Sequence, residues 1–119
     1  MDAEQAIHSF WSSFGLIAYD ENSVPDTAQL PYITYSVGYD SFDYGVSMSA
    51  SIWDRTMSWA ALTDKAHQIS DAIGKGKILI TDYGGIVINR GSPFYQRVDS
   101  GDSNINRIFI NIQAEYIQN

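Results

Sequence analysis

The sequence contains no cysteine, and this absence removes several kinds of chemistry. A disulfide scaffold, a catalytic thiolate and a cysteine-ligated zinc site all need a side chain that is missing here. Basic residues are also few, because seven Lys and Arg stand against 14 Asp and Glu, for a formal net charge of −7. A groove that neutralises nucleic-acid phosphates needs clustered Lys and Arg. We therefore expect no specific binding of nucleic acid.

Long apolar runs are missing as well. The first ten residues, MDAEQAIHSF, begin with acidic side chains, so we expect neither a signal peptide nor a membrane-spanning segment. The composition does not assign a compartment, and nothing in it contradicts a cytoplasmic location. At 119 residues the chain has the length of one domain, which we assign to residues 1–119.

Aromatic side chains, in contrast, are plentiful, with eight Tyr and three Trp. Tyr and Trp give large contact areas at low entropic cost, so their abundance favours a surface made for other proteins.

Two segments show the three-four spacing of an amphipathic helix. The first is predicted over residues 3–14, with Asp2 as its N-cap and Gly15 as its end. The second is predicted to follow Thr56 as N-cap and to stop at Gly74. Its apolar face consists of Trp59, Leu62, Ala66, Ile69 and Ile73.

The strands are predicted from alternation of apolar and polar residues. Residues 31–39 and 46–53 form one hairpin, residues 77–89 form a second, and residues 107–116 form a long closing strand. The acidic, proline-containing segment 18–31 is expected to be a loop. Runs of strands separated by single helices indicate an α+β fold, with an antiparallel or mixed sheet of about five strands and two helices packed on one face.

None of the catalytic motifs that we considered is present. The GKGK stretch at 74–77 lacks the spacing of a phosphate-binding loop. Asp40 and Asp43 form a carboxylate pair, but the tip of a hairpin provides neither burial nor a positive neighbour to shift a pKa. No nucleophile has a visible activating base. We expect no enzyme, no catalytic residue, no cofactor and no metal.

Residues 90–98, RGSPFYQRV, interrupt a strand pattern with unusual chemistry. Pro93 cannot donate to a strand ladder and Gly91 tolerates backbone angles that other residues avoid, so the segment must bend or terminate an edge strand. Arg and aromatic side chains on such an edge are typical of an interface. A plain surface loop explains the same residues equally well.

Four stretches in order carry a resemblance: PYITY at 31–35, SIWDRTMSW at 51–59, GGIVINRGSPFYQ at 84–96 and NRIFINI at 106–112. The chain resembles the small tail terminator proteins, also called minor capsid or tail completion proteins, of long-tailed phages of Gram-positive bacteria. RGSPF is the most specific piece. The resemblance implies a non-enzymatic α+β subunit of a virion, assembled in the host cytoplasm. Such subunits form a ring, expected to be hexameric, that caps the tail tube and meets the head connector.

The ring would give the unusual residues a role, because head-to-tail rings use two different patches on each subunit. Arg90, Phe94, Tyr95 and Arg97 are assigned to one subunit interface. A second set, from the first hairpin, is assigned to the tube or a neighbouring subunit: Tyr39, Phe42 and Tyr44. The same aromatic side chains could instead fold back onto their own domain.

DNA would pass through the ring without specific binding, and Asp40 and Asp43 are candidate lumen acids. Two alternatives stay open. The chain could be a head-completion or connector protein of the same virion, or a small ligand-binding α+β domain with a pocket.

Overall fold

The computed structural model describes residues 1–39, 45–55 and 58–118. In these ranges the chain forms two α-helices and six strands, with a 3-10 turn after the first helix at Ser12–Phe14. The helices are α1 (Ala3–Trp11) and α2 (Trp59–Ile73). The strands are β1 (Ile17–Asp20), β2 (Tyr32–Tyr39), β3 (Gly45–Asp54), β4 (Lys77–Thr81), β5 (Gly84–Val98) and β6 (Asn106–Gln118).

The six strands form one mixed sheet in the order β1-β2-β3-β6-β5-β4. β1 pairs with β2 in parallel, and every other neighbouring pair is antiparallel. Alternate residues point to opposite faces of a sheet. One face carries the core isoleucines and is covered by both helices, which confirms the predicted α+β class. Its fully buried members are Ile33, Ile52, Ile86, Ile88, Ile108 and Ile110.

α1 is held at both of its ends by local contacts. The Asp2 carboxylate accepts from the N–H of Gln5 while the Gln5 side chain accepts from the N–H of Asp2, forming a capping box. At the other end the 3-10 turn finishes at Gly15, which has φ 81°. Between these ends the helix buries Ile7, Phe10 and Trp11 completely or nearly so. Counting the 3-10 turn, the helical segment has the predicted span.

The N-cap of α2 lies two residues after the predicted one. Ser58 is the N-cap, and its hydroxyl accepts from the N–H of Ala61 at 3.1 Å. The prediction of Thr56 as the cap is therefore wrong, and Thr56 itself lies outside the described residues. The helix ends at Gly74, as predicted, where φ is 58°. The predicted apolar face is confirmed because Leu62, Ala66, Ile69 and Ile73 are fully buried.

Two strand predictions need correction. The loop predicted over residues 18–31 is wrong at its start, because Ile17–Asp20 forms β1, a sixth strand paired in parallel with Tyr32–Tyr35. β5 was expected to bend or end near Pro93. Termination is wrong, because the strand continues to Val98, whereas the register shift between Arg90 and Tyr95, which accommodates the proline, agrees with the predicted bend.

Candidate interaction surfaces

The segment 90–98 lies in β5 and packs under α2. Gly91 is required by the close approach of β6, since a Cβ at this position would lie 2.8 Å from both Cβ and the carbonyl oxygen of Asn111. The Asn111 side-chain amide in turn donates to the carbonyl of Pro93 at 2.9 Å. The bulge is therefore fixed to β6 by backbone proximity and by one side-chain hydrogen bond.

Three of the predicted interface side chains on this segment contact α2. Arg90 donates from Nη1 to Ser70 Oγ at 3.0 Å. Tyr95 Oη lies 3.3 Å from His67 Nε2, with the two rings edge to face.

Arg97 makes a third contact between β5 and α2, at the start of the helix, because its guanidinium carbon lies 4.7 Å from the centre of the Trp59 ring. Phe94 is partly buried against the core, whereas Arg90 and Arg97 stay exposed beyond their contacts. The structure thus places Arg90, Tyr95 and Arg97 along one seam between β5 and α2, and the ring centre of Phe94 lies 6.4 Å from that of Tyr95.

The second predicted set lies almost wholly outside the described residues. Phe42, Tyr44, Asp40 and Asp43 belong to residues 40–44, which connect β2 and β3. Only the backbone of Tyr39 is described, and it pairs with Val46 at the end of the hairpin. Their assignment to an interface or a lumen stays a prediction.

The sheet face that points away from the helices is open. Its centre is polar and uncharged, with Ser36, Ser47 and Ser49 side by side on β2 and β3 and Asn111 beside them on β6. Among the described strand residues that point to this face, Arg107 and Glu115 carry charge. The face therefore offers small hydroxyl and amide groups over a broad area.

An aromatic cluster with one arginine occupies one end of the open face. The guanidinium carbon of Arg107 lies 4.5 Å from the centre of the Trp53 ring and 5.8 Å from that of Phe109. Arg107 Nε also donates to Ser51 Oγ at 3.0 Å, and Trp53 Nε1 donates to Thr34 Oγ1 at 2.9 Å. Burial of these hydroxyls is thus matched by hydrogen bonds.

The other end of the open face is apolar and belongs to the edge strand β4. Ile80 is 73% exposed, Ile78 57% and the neighbouring Ile117 47%. Exposed apolar clusters on an edge strand usually mark a contact with another chain, since an unpaired edge also presents free backbone groups. Sequence reasoning missed this patch because KILIT reads as an ordinary buried strand.

A polar chain on α1 resembles a catalytic arrangement but lacks its chemistry. Ser12 Oγ lies 3.3 Å from His8 Nε2, and His8 Nδ1 lies 3.0 Å from Tyr35 Oη, beside a surface depression of about 720 Å³. Burial, and then the charges of Asp20 and Glu4, raise the pKa of Tyr35, so its phenol stays neutral.

The backbone around Ser12 does not complete such a site. Ser12 caps the C-terminus of α1, and its N–H already bonds to the carbonyls of His8 and Phe10. This end of a helix carries negative partial charge, which opposes an oxyanion. The arrangement therefore gives no support to acyl transfer at Ser12.

Within residues 1–39, 45–55 and 58–118, no group of three or more His, Asp or Glu side chains is placed to hold a metal ion. In the same ranges no helix has the length and hydrophobicity needed to cross a bilayer.

Comparison with known proteins identifies a shared fold. No protein-family model matches the chain, and no curated protein matches its sequence significantly. Among solved structures, the chain is similar to a chain from the virion of a native gene transfer agent particle, with 17% sequence identity and a TM-score of 0.57. The match covers 97% of this chain and 94% of that chain, so the two share one fold from end to end.

Proposed function

We propose that the chain is a structural protein of a virion, and that it acts as a tail terminator. In this role it forms a hexameric ring that caps the tail tube and joins it to the head connector. The observation that carries the proposal is the fold likeness, over nearly the full length of both chains, to a chain from a gene transfer agent virion. The resemblance of residues 84–96 to terminator proteins supports the finer assignment.

The architecture of the sheet supports assembly by contact between unlike surfaces. A closed head-to-tail ring needs two different patches on each subunit. The described chain has a seam between β5 and α2, an open polar sheet face and two unlike edge strands, β1 and β4. In the proposed ring, the exposed parts of Arg90 and Arg97, with Phe94 and Tyr95, form one subunit contact.

The hairpin formed by β2 and β3, with its connection, supplies the second contact in this proposal. Its aromatic residues Tyr39, Phe42 and Tyr44 meet the tail tube or the next subunit. Tyr and Phe give large apolar contact area, which suits a protein interface.

Charge supports a channel for DNA. A hexamer would carry a formal charge of −42, from −7 per copy, and this charge repels duplex DNA. Asp40 and Asp43 are the candidate lumen acids. DNA would then move through the ring without specific binding.

In this proposal the protein acts by binding the tail tube, the head connector and further copies of itself. It does so in the virion and, during assembly, in the host cytoplasm. It uses no cofactor and catalyses no reaction. A ligand-binding domain is the alternative from another class, and the depression beside His8 is one candidate place for a small molecule.

Co-sedimentation tests the proposal against its nearest alternative, a head-completion or connector protein of the same virion. Purified chain is mixed separately with assembled tail tubes and with portal or connector rings, and the pellets are compared. The tail terminator assignment predicts saturable binding to tubes in the absence of connector. Binding to the portal side alone would instead identify a head-completion protein.

A further inference from the structure

We propose that β4 is a self-pairing edge, at which two copies of this chain join their sheets through antiparallel β4 strands related by a twofold axis. The inference rests on the edge itself and does not depend on the proposed function. It concerns the free chain, before any tail tube is present.

The open side of β4 has both free backbone groups and apolar side chains. β4 is the last strand of the sheet, and β5 pairs with one of its sides. The N–H of Asp82, just beyond the strand, faces the side away from β5, where Met1 of its own chain covers it: this N–H donates to the carbonyl of Met1 at 2.8 Å. Because backbone groups alternate along a strand, the N–H and C=O of Ile80 and Ile78 also face this open side.

A twofold axis at Leu79 gives the pairing that matches these groups best. Ile78 of one copy then lies opposite Ile80 of the second copy, and each such pair exchanges both of its N–H···O bonds. The two isoleucines lie on the same face in both copies, so four exposed isoleucine side chains form one apolar cluster across the β4–β4 contact. Ile117, on the same face at 47% exposure, extends the cluster on each side.

The β4–β4 contact also has room on the side of the sheet that the helices cover. A groove of about 300 Å³ runs between α1 and β4, and its lining includes Ala6, Phe10 and Leu79. In the antiparallel pairing, Leu79 of the second copy lies opposite Leu79 and points to the helix side. Because Leu79 also lines the groove of its own copy, the two grooves lie next to each other across the β4–β4 contact.

Charge distinguishes this pairing from a continuation of the sheet into the other edge strand. The antiparallel register places Lys77 opposite Thr81 of the second copy, so no two ionisable side chains lie directly opposite each other. Joining β4 to β1 of another copy is the alternative, and it is parallel because both edges run in the same direction. In that alternative, alignment of Ile78 with Ile17 brings Asp82 opposite Glu21, and the N-terminal ammonium, 2.7 Å from Asp82 Oδ1, offsets part of their repulsion.

Matched substitutions on the two edges test the proposal by sedimentation equilibrium over a range of concentrations. The wild-type chain is expected to form dimers, and Ile80→Lys to be a monomer. Ile17→Lys is the control, because Ile17 is exposed to a similar degree, at 63%, on the opposite edge. It should dimerise like the wild type. Dimers that persist in Ile80→Lys, or a wild type that is monomeric throughout, would overturn the proposal.

Cross-linking tests the register without a charged substitution, and the absence of native cysteine removes background. An equimolar mixture of Ile78→Cys and Ile80→Cys should give a covalent dimer on mild oxidation, since directly opposite residues lie within disulfide reach. Each variant alone should give much less covalent dimer, because identical positions are offset along the β4–β4 contact. Cross-linking confined to a mixture of Ile17→Cys with Ile78→Cys would show the β4–β1 contact and contradict the antiparallel pair. Neither result changes whether the chain binds tail tubes, so this proposal and the terminator proposal can fail separately.

Discussion

The guanidinium carbon of Arg97 lies 4.7 Å from the centre of the Trp59 ring, and this contact joins β5 to the first turn of α2. A cation above an exposed aromatic ring contributes about 0.5–1 kcal/mol. We therefore expect Arg97→Ala to lower the free energy of unfolding in urea by about that amount. Arg55→Ala removes the same charge from an exposed position and serves as the control. Equal effects of the two substitutions would show that the ring contact does not stabilise the fold.

The bulge in β5 predicts a strong requirement for glycine at position 91. Gly91→Ala would place a methyl group 2.8 Å from the backbone oxygen of Asn111, so β5 and β6 would have to separate. Such overpacking costs about 1–3 kcal/mol. Gly38→Ala, in β2, is the control, since its new Cβ would meet Ser47 at an ordinary 3.7 Å. Urea unfolding should show a loss for Gly91→Ala alone, and a neutral result there would contradict the close approach.

Tyr35 predicts a dependence of stability on alkaline pH. Burial, followed by the charges of Asp20 and Glu4, raises its pKa from 10.0, so the folded state favours the neutral phenol more than the unfolded state does. This contribution is complete below the unfolded pKa and is lost as pH rises through the raised folded pKa.

The corresponding measurement compares wild type with Tyr35→Phe. Tyr35→Phe should be less stable near neutral pH, because it loses the hydrogen bond with His8. The difference between the two proteins should shrink as pH rises above 10.0. A difference that stays constant across that range would show that the phenol titrates normally.

The proposed ring contact predicts a specific failure of assembly. Arg90→Ala combined with Phe94→Ala should abolish ring formation on tail tubes, measured by sedimentation of the tube-bound chain. The control is Ser70→Ala, which removes the intramolecular partner of Arg90 and keeps the arginine. If Ser70→Ala is equally defective, the seam acts through the fold; if the double variant assembles normally, these residues are not a subunit contact.

Much of the fold follows from periodicity in the sequence, and the exceptions have physical causes. β1 escaped detection because it is four residues long and its stability comes from parallel pairing with a strand further along the chain. The continuation of β5 was missed because Pro93 normally ends a ladder. A bulge removes the need for its missing N–H.

The candidate interface was harder to place than the strands. Arg90 and Tyr95 are separated by an odd number of positions, so a regular strand would point them to opposite faces. The register shift between them turns both toward α2, where they contact Ser70 and His67. The residues were therefore found by their chemistry, but their contacts depend on tertiary structure that alternation does not encode.

Electron microscopy of tail tubes incubated with the purified chain provides the clearest test of the tail terminator proposal. Averages of tube ends should show an added sixfold ring at one end of each tube, with an open central channel. Tubes whose ends stay bare while the chain decorates the portal or connector would contradict it.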